Sequence, residues 1–573
     1  MRCIVWVTMP RAAVRRYCAY AQDPREVYAA HARQILADGP LSQIADGTWI
    51  AGASQAEWSN AANWLDGVRA NGYGVSAFFT NALATPQTIS LQDGLQNIGR
   101  LHIAGAERTF VDGVLDFSGD TPSITVADGA QATLATDVVS VQPLAKSGPG
   151  TAVLAGIVTL GGLTMEAGTL RLSDPSPRFV QAYSTDPSLH NSTAGNTSLS
   201  LRTDFRVNRP IMVTQLGAYD SGGDGIANFK KVAIFARTGG SPLAVTAFAT
   251  RGEYAVKGGF RFHRLPVPVT LLPGEYALVT YGFYNTDRYI EAGKGAVGDM
   301  AGTLDDGDGA ITFLPGAYST TGGELAFPTT VLPVQSSFAA TAGSFIFAAD
   351  AAAKQIVGPV TLPADTTLEI GAADVRLDGG LLPGDDGFGH VENTAAAYPV
   401  SLSLTVPAGA TNVIPAAVFS DRQEGPVTLV KNGAGRLDLQ GTLPLAGGLH
   451  VGAGVVAVDD VNAIGPGELS FGTGGVFEPR AGGVVDRVIY APNQSGANNR
   501  STRFVVPSGS TVTFTRGIEA PRAYSYAGFV LQPHDDPARF PDGSDEGMPL
   551  TVVKMDGAYL GKLDLYLLGD GLP

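Results

Sequence analysis

A glycine-rich segment occurs twice in this chain, and no other feature constrains the fold as strongly. The first copy, at 144–172, reads LAKSGPGTAVLAGIVTLGGLTMEAGTLRL, and the second, at 429–458, reads LVKNGAGRLDLQGTLPLAGGLHVGAGVVAV. The copies share a lysine followed by glycines and leucines at fixed offsets, with a one-residue shift before the later glycine pair. The matched positions are Lys146 with Lys431, Gly148 with Gly433, Gly150 with Gly435, Leu154 with Leu439, Gly156 with Gly441, Gly161 with Gly447, and Gly168 with Gly454.

The repeat has a direct physical interpretation. Glycines at fixed offsets permit positive φ at corners, and the alternating Leu, Val and Ile between them turn one face of each strand inward. One unit cannot bury that face alone, so units must stack on neighbours. The segment 88–136 repeats the strand–turn pattern at a spacing of roughly 20 residues. We therefore predict an all-β chain built on a right-handed parallel β-solenoid in two parts.

Composition agrees with many short strands joined by tight turns. Glycine supplies 73 of 573 residues, and charged residues only 16%, against roughly 25% in ordinary globular domains. The net charge of −15 disfavours nucleic acid as a partner, because an acidic surface repels phosphates. No apolar run is long enough for a transmembrane segment. The only cysteines are Cys3 and Cys18, so a disulfide framework is excluded for the β-rich body.

The N-terminus differs from the rest. Apolar residues between 12 and 37 follow helical spacing, which predicts a short N-terminal helix. The apolar run in 1–10 is short, and Arg11, Arg15 and Arg16 follow it, so a signal peptide is not evident.

A tryptophan-rich run opens the β-rich part of the chain. Trp49, Trp58 and Trp64 lie in DGTWIAGASQAEWSNAANWLDGV, at 46–68, where a solenoid needs a cap over its first open coil. This run and the repeat K-x-G-x-G-x-L-x-L-x-G…G-G-x-x-V-x-A-G-x-L resemble exported bacterial proteins with autotransporter-associated β-strand repeats. The resemblance implies a passenger-type β-solenoid located extracellularly or at the cell surface.

The segment between the two copies has a different pattern. It lacks the repeat glycines, is richer in Tyr, Phe and Arg, and predicts short strands around 213–216 and 232–235. Its V-x-x-L-G-x-Y-D-x-G-x-D-G motif resembles an uncharacterised β-sandwich module of exported proteins, which implies a jelly-roll-like sandwich inserted between the solenoid parts. That module usually has His where Phe229 or Lys230 stands here. The predicted domains are a helical segment at 1–40, a solenoid with a Trp-rich cap at 41–175, the sandwich at 176–349 and a solenoid continuation at 350–573, with a linker at 173–177.

Three acidic, glycine-rich clusters are candidate cation sites, because Ca²⁺ takes carboxylate and carbonyl oxygens from flexible loops. We place a structural Ca²⁺ at Asp220 and Asp224, on a turn with three glycines. The alternative is a solvated Asp-Gly turn without metal. None of the clusters has EF-hand spacing. The other two clusters are Asp305, Asp306 and Asp308, and Asp542, Asp545 and Glu546.

No catalytic motif is present, so we predict no enzyme. The seven histidines are scattered without zinc-site spacing, and no G-x-S-x-G occurs. The expected function is an extracellular structural or adhesive surface protein, whose sandwich carries aromatic residues that could bind a glycan or other cell-surface component. The alternatives are a carbohydrate-active enzyme, lyase or hydrolase, with two carboxylates facing one cleft, and a spacer without ligand. The oligomeric state and the mode of anchoring stay open.

Overall fold

The computed structural model describes residues 45–567 with gaps. The gaps are 93, 175–177, 187, 189–198, 249–253, 284–289, 292–301, 315–316, 320–339, 342, 350–353, 395–399, 424, 488, 491–501, 507–510, 516–517, 520–526, 534–551 and 556–562. The described residues form strands almost throughout, with single-turn 3-10 helices at Ala61–Asn63, Leu65–Gly67 and Ala416–Val418. The all-β prediction is confirmed. The predicted N-terminal helix lies outside the described residues.

The strands before the sandwich are short and closely spaced. They are β1 (Gly47–Thr48), β2 (Gln55–Glu57), β3 (Ser76–Phe79), β4 (Gln87–Ser90), β5 (Leu95–Ile98), β6 (Arg100–Ile103), β7 (Arg108–Phe117), β8 (Ser123–Val126), β9 (Gln131–Ser147), β10 (Thr151–Leu154), β11 (Val158–Met165) and β12 (Gly168–Ser173). Inward-facing apolar residues alternate with outward polar ones; along β9, buried and half-buried positions alternate from Gln131 to Ser140.

The next strands belong to the sandwich. They are β13 (Phe179–Gln181), β14 (Tyr183–Thr185), β15 (Leu199–Val207), β16 (Ile211–Tyr219), β17 (Lys230–Ala236), β18 (Ala244–Phe248), β19 (Ala255–Lys257), β20 (Phe260–Leu271), β21 (Gly274–Phe283), β22 (Ile290–Glu291), β23 (Gly302–Leu304), β24 (Ile311–Phe313), β25 (Ala317–Ser319), β26 (Ala340–Thr341) and β27 (Gly343–Ala348). One sheet has the order β13-β27-β16-β20-β19 and the other β18-β17-β21-β15-β24, all antiparallel. Val213 and Phe347 of the first sheet share a buried core with Ile234 and Leu278 of the second, which confirms the sandwich.

Short strands resume after residue 353. They are β28 (Lys354–Ile356), β29 (Val360–Leu362), β30 (Thr366–Gly371), β31 (Asp374–Leu377), β32 (Leu381–Pro383), β33 (His390–Asn393), β34 (Val400–Thr405), β35 (Thr411–Pro415), β36 (Phe419–Gln423), β37 (Val427–Asn432), β38 (Arg436–Gln440), β39 (Gly448–Val451), β40 (Gly454–Val458), β41 (Glu468–Phe471), β42 (Gly475–Pro479), β43 (Gly483–Val485), β44 (Ile489–Tyr490), β45 (Arg503–Val506), β46 (Thr511–Phe514), β47 (Ile518–Glu519), β48 (Ala527–Pro533), β49 (Val552–Met555) and β50 (Leu563–Leu567).

The chain divides into two units. The first comprises Met1–Pro175, Ala352–Pro407 and Ala417–Gly425. Its parallel ladders form three faces of stacked coils, and β9 bends at two corners to contribute to all three. The face orders are β1-β3-β6-β8-β9-β11-β29-β32, then β2-β4-β7-β9-β10-β12-β30-β33-β36, then β5-β7-β9-β11-β28-β31-β34.

The second unit comprises Ser176–Ala351, Ala408–Ala416 and Pro426–Pro573. It contains the sandwich and further parallel coils. The ladders of these coils run β35-β38-β40-β42-β45-β48-β50, β37-β39-β41-β44-β47 and β43-β46-β49. The described coils of the two units make up about 15 turns in total. The prediction of a parallel β-solenoid in two parts, with the sandwich placed between them in sequence, is confirmed.

The predicted tryptophan cap is a packed aromatic core. The Trp64 ring meets those of Trp49 and Trp58 edge-on at 5.0 and 4.9 Å, and all three side chains are buried. The Trp49 indole N–H donates to Gln87 Oε1 at 3.0 Å, in the strand of the next coil. The cluster therefore fills the interior of the first coils and packs against Phe79 and Phe110 of the following strands.

The predicted linker at 173–177 begins too early. Ser173 is the last residue of β12 and pairs with Gly371 of β30. Asp174 is buried, and its Oδ2 accepts a hydrogen bond from the Ala373 N–H at 3.0 Å. These two residues therefore belong to the solenoid. The local sequence does not show this, because the hydrogen bond of Asp174 is made to a residue that is distant in the chain. The remaining linker residues lie outside the described part.

Candidate functional site

The two repeat copies pair their first and last strands in the same way. In the first, Thr151 of β10 pairs with Thr169 of β12 in parallel register; in the second, Arg436 of β38 pairs with Val455 of β40. These are the positions that the sequence match aligns. The first and last corner glycines of each copy have positive φ: 74° at Gly148, 76° at Gly433, 73° at Gly168 and 68° at Gly454. The prediction of one strand–corner–strand path is confirmed at these two corners. Between them the copies differ, because Gly441 has a φ of 89° whereas Gly156 has no positive φ.

A lysine is buried at the same corner of each copy. Lys146 and Lys431 point into the coil, with at most 1% of their surface exposed. Each ammonium donates to two backbone carbonyls of the glycine corners. The acceptors are Gly148 O at 2.8 Å and Ala167 O at 2.9 Å for Lys146, and Gly433 O at 2.6 Å and Ala453 O at 2.9 Å for Lys431. Burial lowers the pKa of each lysine to about 8.

A third inward-facing lysine lies next to buried carboxylates. Lys354 of β28 and Asp174 both have fully buried side chains, and Lys354 Nζ lies 3.9 Å from Asp174 Oδ1. The same Nζ donates to the carbonyls of Ala155, at 3.2 Å, and Gly156. Asp374 of β31 is buried nearby in the same unit and acts electrostatically on Asp174. We call Lys354, Asp174 and Asp374 the buried charged centre.

The charges of this centre are strongly perturbed. Burial lowers the pKa of Lys354 to about 8, although Asp174 opposes the shift. Burial raises the pKa of Asp374, and the neighbouring Arg376 only partly offsets this. Sequence analysis did not single out this centre. An available signal was the lysine in AAAKQI, a charged residue at the start of an inward-alternating strand.

The predicted calcium turn is organised by an arginine. Asp220 is buried; its Oδ2 accepts from Arg261 Nε at 2.7 Å and its Oδ1 from the Gly225 N–H at 3.0 Å. Asp224 is exposed on the same turn. Arg261 of β20 therefore already supplies Asp220 with a cationic partner. Calcium binding at Asp220 and Asp224 stays a prediction.

The second acidic cluster also meets arginines. Arg178 pairs with Asp308 and, at 3.3 Å, with Asp305, while Arg209 donates to the carbonyls of Gly307 and Asp308 at 2.8 and 3.0 Å. Within the described ranges no group of three or more His, Cys, Asp or Glu side chains is arranged to hold a metal ion. The third cluster, Asp542, Asp545 and Glu546, lies outside those ranges.

Several described aromatic residues of the sandwich lie inside it. Tyr183, Tyr219, Phe260, Phe262 and Phe283 form one buried cluster. The large apolar side chains that the described sandwich exposes are aliphatic, at Leu243 and Val256. These five aromatic residues stabilise the core, and glycan binding by the sandwich stays a prediction.

A polar cavity lies in the second unit, where β20 meets the coils. It has a volume of about 10 Å³, room for about one water. Its walls include Arg264, Glu468 and Ser470. Ser470 Oγ lies 2.8 Å from His450 Nδ1, and burial lowers the pKa of His450 to about 4. A cavity of this size does not admit a sugar ring.

No helix in the described part of the chain is long and apolar enough to span a bilayer. Comparisons with protein-family models, curated proteins and solved structures return no match.

Proposed function

We propose that this protein is a structural protein of the cell exterior, in which the β-solenoid is a scaffold and the sandwich a module carried on it. The observation that carries the proposal is the use of Lys146 and Lys431. In both copies the buried ammonium bonds to the carbonyls of its own corner and of the next coil. The lysine ammonium of the repeat therefore joins stacked coils through hydrogen bonds.

The disposition of other charged groups supports the same function. In the described sandwich, buried Asp204 pairs with Arg202 at 2.5 Å and Arg237 at 2.9 Å, and Glu275 pairs with Arg206 and Arg237. A polysaccharide hydrolase needs two carboxylates facing a sugar-sized cleft. Asp204 and Glu275 are both bound to Arg237, which favours a structural role for them over the carbohydrate-active alternative.

The location is inferred from sequence. The tryptophan run and the glycine-rich repeat resemble exported proteins, and low lysine with near-absence of cysteine suits a scaffold stabilised by stacking. The buried sandwich aromatics make us favour a scaffold over an adhesin that binds glycans through an aromatic patch.

The test is accessibility on cells of the source organism. An antibody raised against the recombinant chain is expected to label intact cells, and external protease to remove the signal without loss of a cytosolic marker. Labelling that appears only after permeabilisation would contradict the proposal. In parallel, the purified chain is incubated with acidic and neutral polysaccharides; release of reducing or unsaturated ends would establish the enzymatic alternative instead.

A further inference from the structure

The buried charged centre sits at the two points where the chain leaves and re-enters the first solenoid unit. Asp174 follows β12, the last strand before the sandwich, and Lys354 begins β28, the first strand after it. Lys354 is paired on both sides, with Val158 of β11 and Val375 of β31. Neighbouring coils therefore enclose its side chain, and the separation of 3.9 Å between Nζ and Asp174 Oδ1 lies in a water-excluded interior.

Backbone contacts fix both reacting groups. The carbonyls of Ala155 and Gly156 accept from Lys354 Nζ, and the Ala373 N–H donates to Asp174 Oδ2 at 3.0 Å. Both groups are therefore held with Nζ 3.9 Å from Asp174 Oδ1, which places the amine next to the carboxyl that it would attack. Burial favours the neutral amine, since it lowers the pKa of Lys354 to about 8.

Asp374 supplies a proton-transfer group. Its Oδ2 accepts from Arg376 Nε at 2.8 Å, whereas its buried Oδ1 has no hydrogen-bond partner among the described residues. Its raised pKa, caused first by burial and increased by the charge of Asp174, favours a protonated carboxyl. A carboxyl of this kind can donate a proton to a leaving oxygen and take one from an amine.

We propose that Lys354 and Asp174 condense to an intramolecular isopeptide bond, with Asp374 as the proton shuttle. Proton transfer within the ion pair gives an amine and a carboxylic acid. The lone pair of Nζ attacks Asp174 Cγ; the N–C bond forms, one C–O bond breaks, and that oxygen leaves as water with a proton from Asp374. Nζ loses one proton, which returns to Asp374. The reaction involves no oxidation or reduction, and its products are one amide and one water.

The bond has a physical advantage in this position. Two buried ions are replaced by one neutral amide, which removes the desolvation penalty of the pair. The cross-link also joins the residues that flank the sandwich. Tension along the chain then passes from β12 to β28 through the amide and bypasses the sandwich. The inference goes beyond the proposed function and does not depend on where the protein is located.

The test is intact-mass spectrometry of the denatured full-length chain. The wild type is expected to be lighter than its sequence by one water, and protease digestion to yield one branched peptide that contains both Asp174 and Lys354. Lys354→Met and Asp374→Asn are expected to have the full sequence mass. Asp174→Asn is expected to lose ammonia in place of water, because the same attack expels the amide nitrogen.

Lys146→Met is the matched control, since it removes another buried lysine and is expected to keep the loss of water. A wild-type chain that is folded by circular dichroism and has the full sequence mass would overturn the proposal and leave a buried ion pair. The wild-type branched peptide decides the question even where a variant fails to fold. The measurement uses recombinant protein, so its failure leaves the proposed location untouched.

Discussion

Replacing Lys146 by methionine should change how the stability of this protein depends on pH. The folded pKa of Lys146 is about 8, below its ordinary 10.5, because burial disfavours the ammonium. Between these values Lys146 binds more protons in the unfolded chain than in the folded one, so its contribution to the free energy of unfolding rises with pH over this window. At about 1.4 kcal/mol per pKa unit, the full gain is about 3 kcal/mol. The methionine variant lacks this gain.

The assay is guanidinium unfolding of wild type and Lys146→Met at several pH values from 7.5 to 10.5. The difference in unfolding free energy, wild type minus variant, is expected to increase by up to about 3 kcal/mol. Lys431→Met should behave alike, because the pKa of Lys431 is also about 8 and its contacts match. Lys257→Met, on the exposed strand β19, is the control. If the unfolding free energies of wild type and Lys146→Met change by the same amount across this pH range, the burial argument is refuted.

Three further predictions concern the corners, the sandwich and the cap. Gly168→Ala should lower the free energy of unfolding more than Gly129→Ala, for which the positive φ alone costs about 1 kcal/mol. Both φ values are near 70°, but only a Cβ at Gly168 would meet a carbonyl oxygen at 2.6 Å. Equal melting temperatures of the two variants would contradict this. Asp220→Asn should destabilise by about 3 kcal/mol, because it removes the buried carboxylate that pairs with the partly buried Arg261. Exposed Asp224→Asn should change calorimetric stability by less than about 0.5 kcal/mol. A Ca²⁺-dependent rise in wild-type melting temperature that Asp224→Asn abolishes would place the predicted ion at that turn. Trp58→Ala should lower the free energy of unfolding by about 3–5 kcal/mol. An unchanged denaturant midpoint would show that the tryptophan cap does not contribute to the stability of the core.

Much of the fold could be predicted because its determinants are local. Glycines with positive φ, such as Gly148 and Gly433, mark corners that few other residues tolerate. Alternation between the corners fixes which side chains face inward. The sandwich was recognisable because the same signals are absent between the copies and its strands follow a different pattern.

The sequence also showed that Lys146 and Lys431 occupy matching positions of the repeat and that the acidic clusters lie in turns. It did not show what these charged groups contact. Asp220 meets Arg261, and Asp305 meets Arg178, only after distant strands have paired. A carboxylate on a glycine-rich turn has the same local pattern whether its partner is an arginine, a cation or water. Its function therefore depends on residues that local spacing does not reveal.

The sequence by itself determined the strand class, the repeated corners and the separate module between the copies, because backbone conformation and burial alternation act over a few residues. Tertiary structure alone decided which buried charges meet. Lys354 and Asp174 lie on opposite sides of the sandwich in sequence, and the stacking of β28 on β11 brings them together. That contact follows from the return of the chain to the same solenoid, which no local pattern encodes.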